Sequence, residues 1–298
     1  MKNNKFMPAV LALMAAGFYA LNTPLSKLLL SEVPATLMAG LLYLGAGAGV
    51  GIMYLFHRKK EEKSERLDKK DFPYTLGMIL LDIAAPICLM LGIRLGKSAN
   101  ASLLGNFEIV ATTLIALCFF REKVSKTLWL AILLITLSSG ILSFEGEGSF
   151  SFSAGSLLVL LASSFWGLEN NCTRSISEKS TYEIVTLKGI FSGLGSLIIG
   201  FISGESLPAF RYIFLTMLLG FVAYGLSIFF YIRAQRDLGA AKTSAYYAIA
   251  PFIAALLSFM LLGERLTAAY GIAFIIMALG TMLVVRDTLT ESKGDSHD

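Results

Sequence analysis

The sequence predicts an all-α polytopic membrane protein, with ten transmembrane helices arranged as two five-helix repeats of opposite orientation. Three observations predict it: a composition too apolar for water, ten apolar runs of membrane-crossing length, and a helix-by-helix correspondence between the two halves of the chain.

The 298 residues are 55% hydrophobic and 15% charged, with a mean hydropathy of +0.69. A soluble domain of this length could not keep that balance in solution. A bilayer core of about 30 Å is crossed by roughly 20 helical residues. Runs of that length lie at 7–30, 34–56, 73–93, 99–120, 127–144, 154–173, 181–203, 211–232, 241–262 and 268–286. The longest connection, 57–72, is too short for a soluble catalytic or nucleic-acid-binding domain. The first run exceeds the length of a secretory h-region and has no clear small-residue cleavage site, so it reads as a retained span.

Charge sets the orientation. With the N-terminus in the cytoplasm, the inner segments hold nineteen Lys and Arg, among them the 57–72 run, Arg121, Lys126, Arg174, Lys179, Arg233 and Arg286. The outer ends hold five: Lys27, Arg94, Lys97, Arg211 and Arg265. The positive-inside rule therefore places both termini in the cytoplasm of a cell membrane. Cys88, Cys118 and Cys172 fall in or at the ends of spans without metal-ligand spacing, and His57 and His297 lie in flanking polar segments. Neither a metal nor a cofactor is expected, and no nucleic-acid partner. The glycines at 45, 47, 49 and 51 lie inside a span with no preceding strand, so they do not form a phosphate-binding loop.

The two halves then match each other. Phe18-Tyr19-Ala20-Leu21-Asn22 and Ser26-Lys27 of the first span align with Phe165-Trp166-Gly167-Leu168-Glu169 and Thr173-Arg174 of the sixth. Gly40 and Gly51 align with Gly189 and Gly200, and small-xxx-small pairs (Gly45 with Gly49, Gly189 with Gly193) suit close helix approach. Ile93-Arg94 matches Ile232-Arg233. Glu122-Lys123-Val124-Ser125 matches Glu264-Arg265-Leu266-Thr267, where Ser125 and Thr267 are expected helix N-caps. Five spans per half is an odd number, so the second half enters from the other side and the repeat is inverted. The expected units are 1–148 and 149–288, followed by a disordered cytoplasmic tail at 289–298.

These features resemble the drug/metabolite transporter superfamily, specifically its EamA-like branch. The resemblance rests on FYALNTPLSK (18–27), FWGLENNCTR (165–174), the FFREKVS (119–125) and LLGERLT (261–267) turns, and AYYAIAPFIAALLSFMLLGERL (245–266). It covers nearly the whole chain. The sequence departs from the family pattern where Glu108 is followed by Ile109 rather than proline; Pro251 holds the equivalent place in the ninth span. The resemblance implies a central cavity between the halves, used for export of amino acids, metabolites or toxic compounds.

An ionisable group at membrane depth must face a cavity or a partner. Asp82, Glu108 and Glu169 are such groups, and their repeat mates are not acidic: roughly Phe221, Ala250 and Asn22. They are candidates for substrate binding or proton coupling, against a structural ion pair with the buried cation Lys188. Asn22 and Asn170 add polar contacts at the first and sixth spans. Tyr19, Trp166, Tyr224, Tyr246 and Tyr247 are candidates to line the pathway, because amphipathic rings offer stacking and a donor to organic solutes, with Tyr19, Trp166 and Tyr246 favoured by their spacing from Asn22, Glu169 and Pro251. Pro251 removes a backbone hydrogen bond and is expected to leave a carbonyl facing the cavity or, alternatively, to form a packing kink.

The expectation is a secondary transporter of a small organic solute that works by alternating access, in the export direction, with protons as a further partner and a homodimer compatible with the fold. The lipid bilayer is its solvent. A passive facilitator remains the alternative. A membrane enzyme or lipid-handling protein is disfavoured, since no HExxH, GxSxG or paired catalytic Asp motif is present. No catalytic residue is expected.

Overall fold

The computed structural model describes residues 6–58, 66–120, 124–144, 153–176, 178–238, 243, 246–264 and 267–294. The basic residues at 59–65, the turn residues Glu122, Lys123, Arg265 and Leu266, and residues 295–298 lie outside them. Among the described residues the chain is helical throughout, with no strand. The elements are α1 (Phe6–Ala20), α2 (Asn22–Leu29), α3 (Ala35–His57), α4 (Phe72–Leu95), α5 (Ser98–Leu104), α6 (Phe107–Phe120), α7 (Lys126–Ser143), α8 (Ala154–Arg174) and α9 (Thr181–Ile202). There follow α10 (Phe210–Gly220), a π-helical stretch Phe221–Leu226, α11 (Ser227–Leu238), α12 (Ala250–Leu262) and α13 (Ala268–Gly294), the last running past residue 288.

Seven helical spans among the described residues are long and apolar enough to cross a membrane: Met7–Leu29, Ala35–His57, Phe72–Leu95, Lys126–Ser143, Thr181–Ile202, Phe210–Ala234 and Ala268–Thr290. Three expected runs depart from that pattern for local reasons. The run 99–120 is broken by a turn at Gly105–Asn106 into α5 and α6. The run 154–173 lies in the single helix α8 (Ala154–Arg174), which carries Glu169, Asn170, Asn171 and Arg174, and these dilute its apolarity. The run 241–262 is described in part, and its regular helix α12 begins after a turn at Ala248–Ile249.

The turns follow the local chemistry. Ser125 Oγ accepts from the Leu128 amide and Thr267 Oγ1 from the Tyr270 amide, so each satisfies an otherwise orphan N–H at a helix start. Gly263 closes α12 at φ +62°, the left-handed conformation that glycine adopts without a Cβ clash. Glu264 then reaches across to the start of α5, where its carboxylate accepts from Ser98 N (2.7 Å) and Ala99 N (2.9 Å). Glu205 does the same for α3, accepting from Thr36 N (3.2 Å) and Leu37 N (2.8 Å). A carboxylate at a helix N-terminus meets both the free donors and the positive end of the dipole.

Helix pairing is built on α3 against α9 and α7 against α13. Around them α4 packs on α8 and α1 on α11, α6 on α8 and α12 on α1, α4 on α9 and α10 on α3. Along the α3–α9 seam the backbones touch: a Cβ placed on Gly189 would stand 2.4 Å from Gly47 Cα. With no hydrophobic drive between helices in lipid, such close backbone approach supplies the packing energy.

Candidate functional site

A cavity of about 790 Å³ lies among α1, α3, α6, α8, α9, the π-helical stretch, α12 and α13. One wall carries the charged groups. Lys188, on α9, places its ammonium 3.0 Å from Asp82 Oδ2 and 3.0 Å from Glu169 Oε1. Asp82 is fully buried and Glu169 is 2% exposed. Asp82 Oδ1 accepts from the Tyr43 hydroxyl (2.9 Å) and from Trp166 Nε1 (3.2 Å), and Glu169 accepts from the Thr173 hydroxyl one turn along α8. Two carboxylates therefore share one ammonium, with further donors filling their lone pairs, as buried ions require.

A third acid, Glu108, sits in the first turn of α6 and faces the same cavity. Its Oε1 accepts from Asn170 Nδ2 at 2.6 Å, and Asn170 also donates to Thr112 Oγ1 at 3.3 Å. From Tyr43, which donates to Asp82, runs an arc of tyrosines. Tyr43 and Tyr224 have centroids 5.4 Å apart, Tyr224 and Tyr19 5.9 Å, Tyr19 and Tyr247 5.8 Å, and Tyr247 and Tyr231 5.2 Å. The edge-to-face and tilted geometries are those favoured by ring quadrupoles. Tyr224 is held by Asn22, whose Nδ2 donates to the phenol oxygen at 3.0 Å. It lies in the π-helical stretch, where an added residue per turn redirects side chains, a common feature of functional segments.

The structure brings Tyr19, Glu108, Trp166, Glu169, Asn170, Lys188, Tyr224 and Pro251 to the cavity wall. Asn22 and Asp82 stand one layer behind, holding Tyr224 and Lys188 respectively. Of the tyrosine pair before Pro251, Tyr247 lines the cavity, whereas Tyr246 is 40% exposed and outside the lining. The turn at Ala248–Ile249 sets this phase, which a continuous helical count through Pro251 does not anticipate. Pro251 lies in the first turn of α12, where a missing N–H costs no helical bond. Tyr43, Tyr231, Asn106 and Arg174 also line the cavity and were not foreseen. Asn106 had a signal, since Gly105-Asn106 is a turn-forming pair inside an apolar run. Tyr43 had none, lying in a glycine-rich stretch that reads as packing.

Groups of His, Cys, Asp and Glu able to hold a metal ion are absent among the described residues. The arrangement offers a polar end, an aromatic wall and a volume suited to a small organic molecule, typical of pockets of about 300–1,000 Å³.

The model of the EamA-like transporter family matches residues 6–144 and 153–286. An uncharacterized transporter of Methanothermobacter thermautotrophicus is 26% identical over 295 residues, covering 91% of this chain and 83% of that protein. A solved crystal structure shares the fold with a TM-score of 0.66 at 17% identity, covering 93% of this chain and 94% of that one. With the family model matched across nearly its whole length, the chain belongs to the EamA-like transporter family and is a multi-pass membrane transporter.

Proposed function

We propose that this protein is a secondary transporter that carries a small organic solute across the cytoplasmic membrane by alternating access, with the 790 Å³ cavity as its binding site. The observation that carries the reading is that cavity: elements from both halves line it, its lining includes residues of helices long and apolar enough to cross a membrane, and it holds an ion cluster beside an aromatic wall.

The inverted repeat is part of the proposal. The family model matches two successive segments. Helix contacts also occur in exchangeable pairs: α1 on α11 (first and eighth spans) has its counterpart in α4 on α8 (third and sixth), and α12 on α1 in α6 on α8. The turn at Gly105–Asn106 has its counterpart at Ala248–Ile249. Two halves related in this way can rock about a central site.

With both termini cytoplasmic, the cavity opens inward, because its lining reaches Arg174 at the end of α8 and Thr288 near the end of α13. The outer side is held shut by Lys27, whose ammonium donates to the carbonyls of Ile93 (2.6 Å) and Gly96 (2.7 Å) at the end of α4, and by Glu264 on α5. Export and proton coupling through Glu108 follow the resemblance and the intramembrane acids.

Uptake and counterflow in proteoliposomes, across a metabolite panel with and without an imposed pH gradient, test the reading. Saturable exchange of at least one solute is expected. Absence of exchange for every solute contradicts it, and exchange indifferent to the gradient removes coupling alone.

A further inference from the structure

We infer that Asn106 and Glu108 form the headgroup subsite of the cavity, and that it takes an organic ammonium ion carrying a neutral oxygen acceptor, such as an amide, ester or hydroxyl, close to the ammonium. The inference rests on the transport-cavity reading above.

Charge is the first ground. Lys188 is shared between Asp82 and Glu169 at 3.0 Å each, so its single positive charge is already matched. Glu108 adds a third carboxylate, and the group bonded to it, Asn170 Nδ2, is neutral. Glu108 thus brings the carboxylates of this wall to three beside Lys188, with Arg174 at the end of α8 the other cation of the lining, and a carboxylate within spanning helices favours a cation as its occupant. Rings of Tyr19, Trp166 and Tyr247 line the same cavity, and their faces attract an ammonium as well as an apolar body.

Asn106 is the second, independent ground. It forms the turn between α5 and α6, lines the cavity, and is 4% exposed, with a buried amide nitrogen that has no hydrogen-bond partner in the structure. A buried donor without an acceptor is costly, so native proteins keep few of them. An oxygen on the solute supplies the missing acceptor. Asn106 closes the turn, Glu108 stands in the first turn of α6, and both line the cavity, so a donor and an acceptor are available to one solute. A carboxylate in that place would face Glu108 and Glu169 and be repelled, whereas a neutral oxygen is not. The repeat mates, Ala248 and Ala250, are apolar, so the subsite belongs to one half and gives the solute one orientation.

Binding of four matched aromatic probes to the purified full-length protein tests this: phenylalaninamide, phenethylamine, 3-phenylpropanamide and phenylalanine. Phenylalaninamide is expected to bind about tenfold more tightly than phenethylamine, which lacks the oxygen, and more tightly still than 3-phenylpropanamide, which lacks the ammonium, or phenylalanine, which carries a carboxylate. Asn106→Ala should weaken phenylalaninamide about tenfold and phenethylamine less than twofold. Glu108→Gln should remove the preference for the ammonium.

Equal or tighter binding of 3-phenylpropanamide or phenylalanine overturns the assignment, as does failure of all four to bind. If Asn106→Ala is not monodisperse, the ranking on the unmodified protein decides alone. Counterflow of another solute in the face of a failed ranking leaves the transport reading standing. The expected ranking without any translocation leaves the subsite and removes transport.

Discussion

The Lys188 ammonium lies 3.0 Å from Oδ2 of Asp82, a carboxylate with no solvent exposure. Breaking a buried pair by removing one partner costs about 3–5 kcal/mol, because the remaining charge stays in low dielectric. Lys188→Met strands two carboxylates and is expected to approach that loss. Asp82→Asn leaves Lys188 paired with Glu169 and is expected to cost less. Thermal unfolding in detergent measures both; equal stability of Lys188→Met and the unmodified protein contradicts the pairing.

Close packing along α3 and α9 gives a second prediction. A methyl on Gly189 would stand 2.4 Å from Gly47 Cα, whereas one on Gly17 meets no atom within 4 Å. Gly189→Ala should therefore destabilise by about 1–3 kcal/mol through overpacking. Gly17→Ala should be neutral or slightly stabilising, since alanine favours helix. The same unfolding assay separates them.

The seam was legible in the sequence as small-residue spacing, and the ten apolar runs were legible as lengths. Helix phase around breaks was not. Tyr246 and Tyr247 differ by one position, and a turn two residues later decides which one meets the cavity. Among the site residues, isolated membrane acids announced themselves by their desolvation cost. Which acid pairs with Lys188 depends on how α4, α8 and α9 approach, a three-helix relation that no local pattern encodes.

A third prediction concerns pH. On the face away from Lys27, Lys179 lies 3.5 Å from both Asp68 and Asp71 and ties the segment before α4 to the start of α9. The Lys70 amide, and then Lys179, hold the Asp68 carboxyl below its ordinary range. Burial pulls the Lys179 ammonium down, but Asp71 and Asp68 outweigh it and the net shift is upward. A depressed carboxyl contributes above its unfolded value and loses that contribution as pH falls through the folded one. A raised lysine contributes below its unfolded value and loses it as pH rises through the folded one. The tie is therefore constant between about pH 5 and 9 and opens only in stronger acid or base. Transport of Asp68→Asn should keep the pH profile of the unmodified protein across pH 5–8. A profile shifted by this substitution places the sensing group outside the membrane.

A fourth prediction concerns the outer closure. Lys27→Met removes the donor to the Ile93 and Gly96 carbonyls, and Glu264→Gln weakens the carboxylate cap on α5. Each should shift the protein toward an outward-facing state, read as faster reaction of an external maleimide with a cysteine placed at Thr23 in the cavity. Unchanged reaction in both variants contradicts a gating role for these contacts.

Alternating access is tested most directly by side-specific labelling. Cys88, Cys118 and Cys172 are replaced by Ala, and single cysteines are placed at Thr23, deep in the cavity, and at Thr288, near its mouth. With an impermeant maleimide, both should label from the cytoplasmic side at rest. Under substrate exchange Thr23→Cys should also become reachable from outside, while Thr288→Cys stays reachable only from the cytoplasm. Labelling of Thr23→Cys from neither side, or from both sides at rest, contradicts an inward-open alternating cavity.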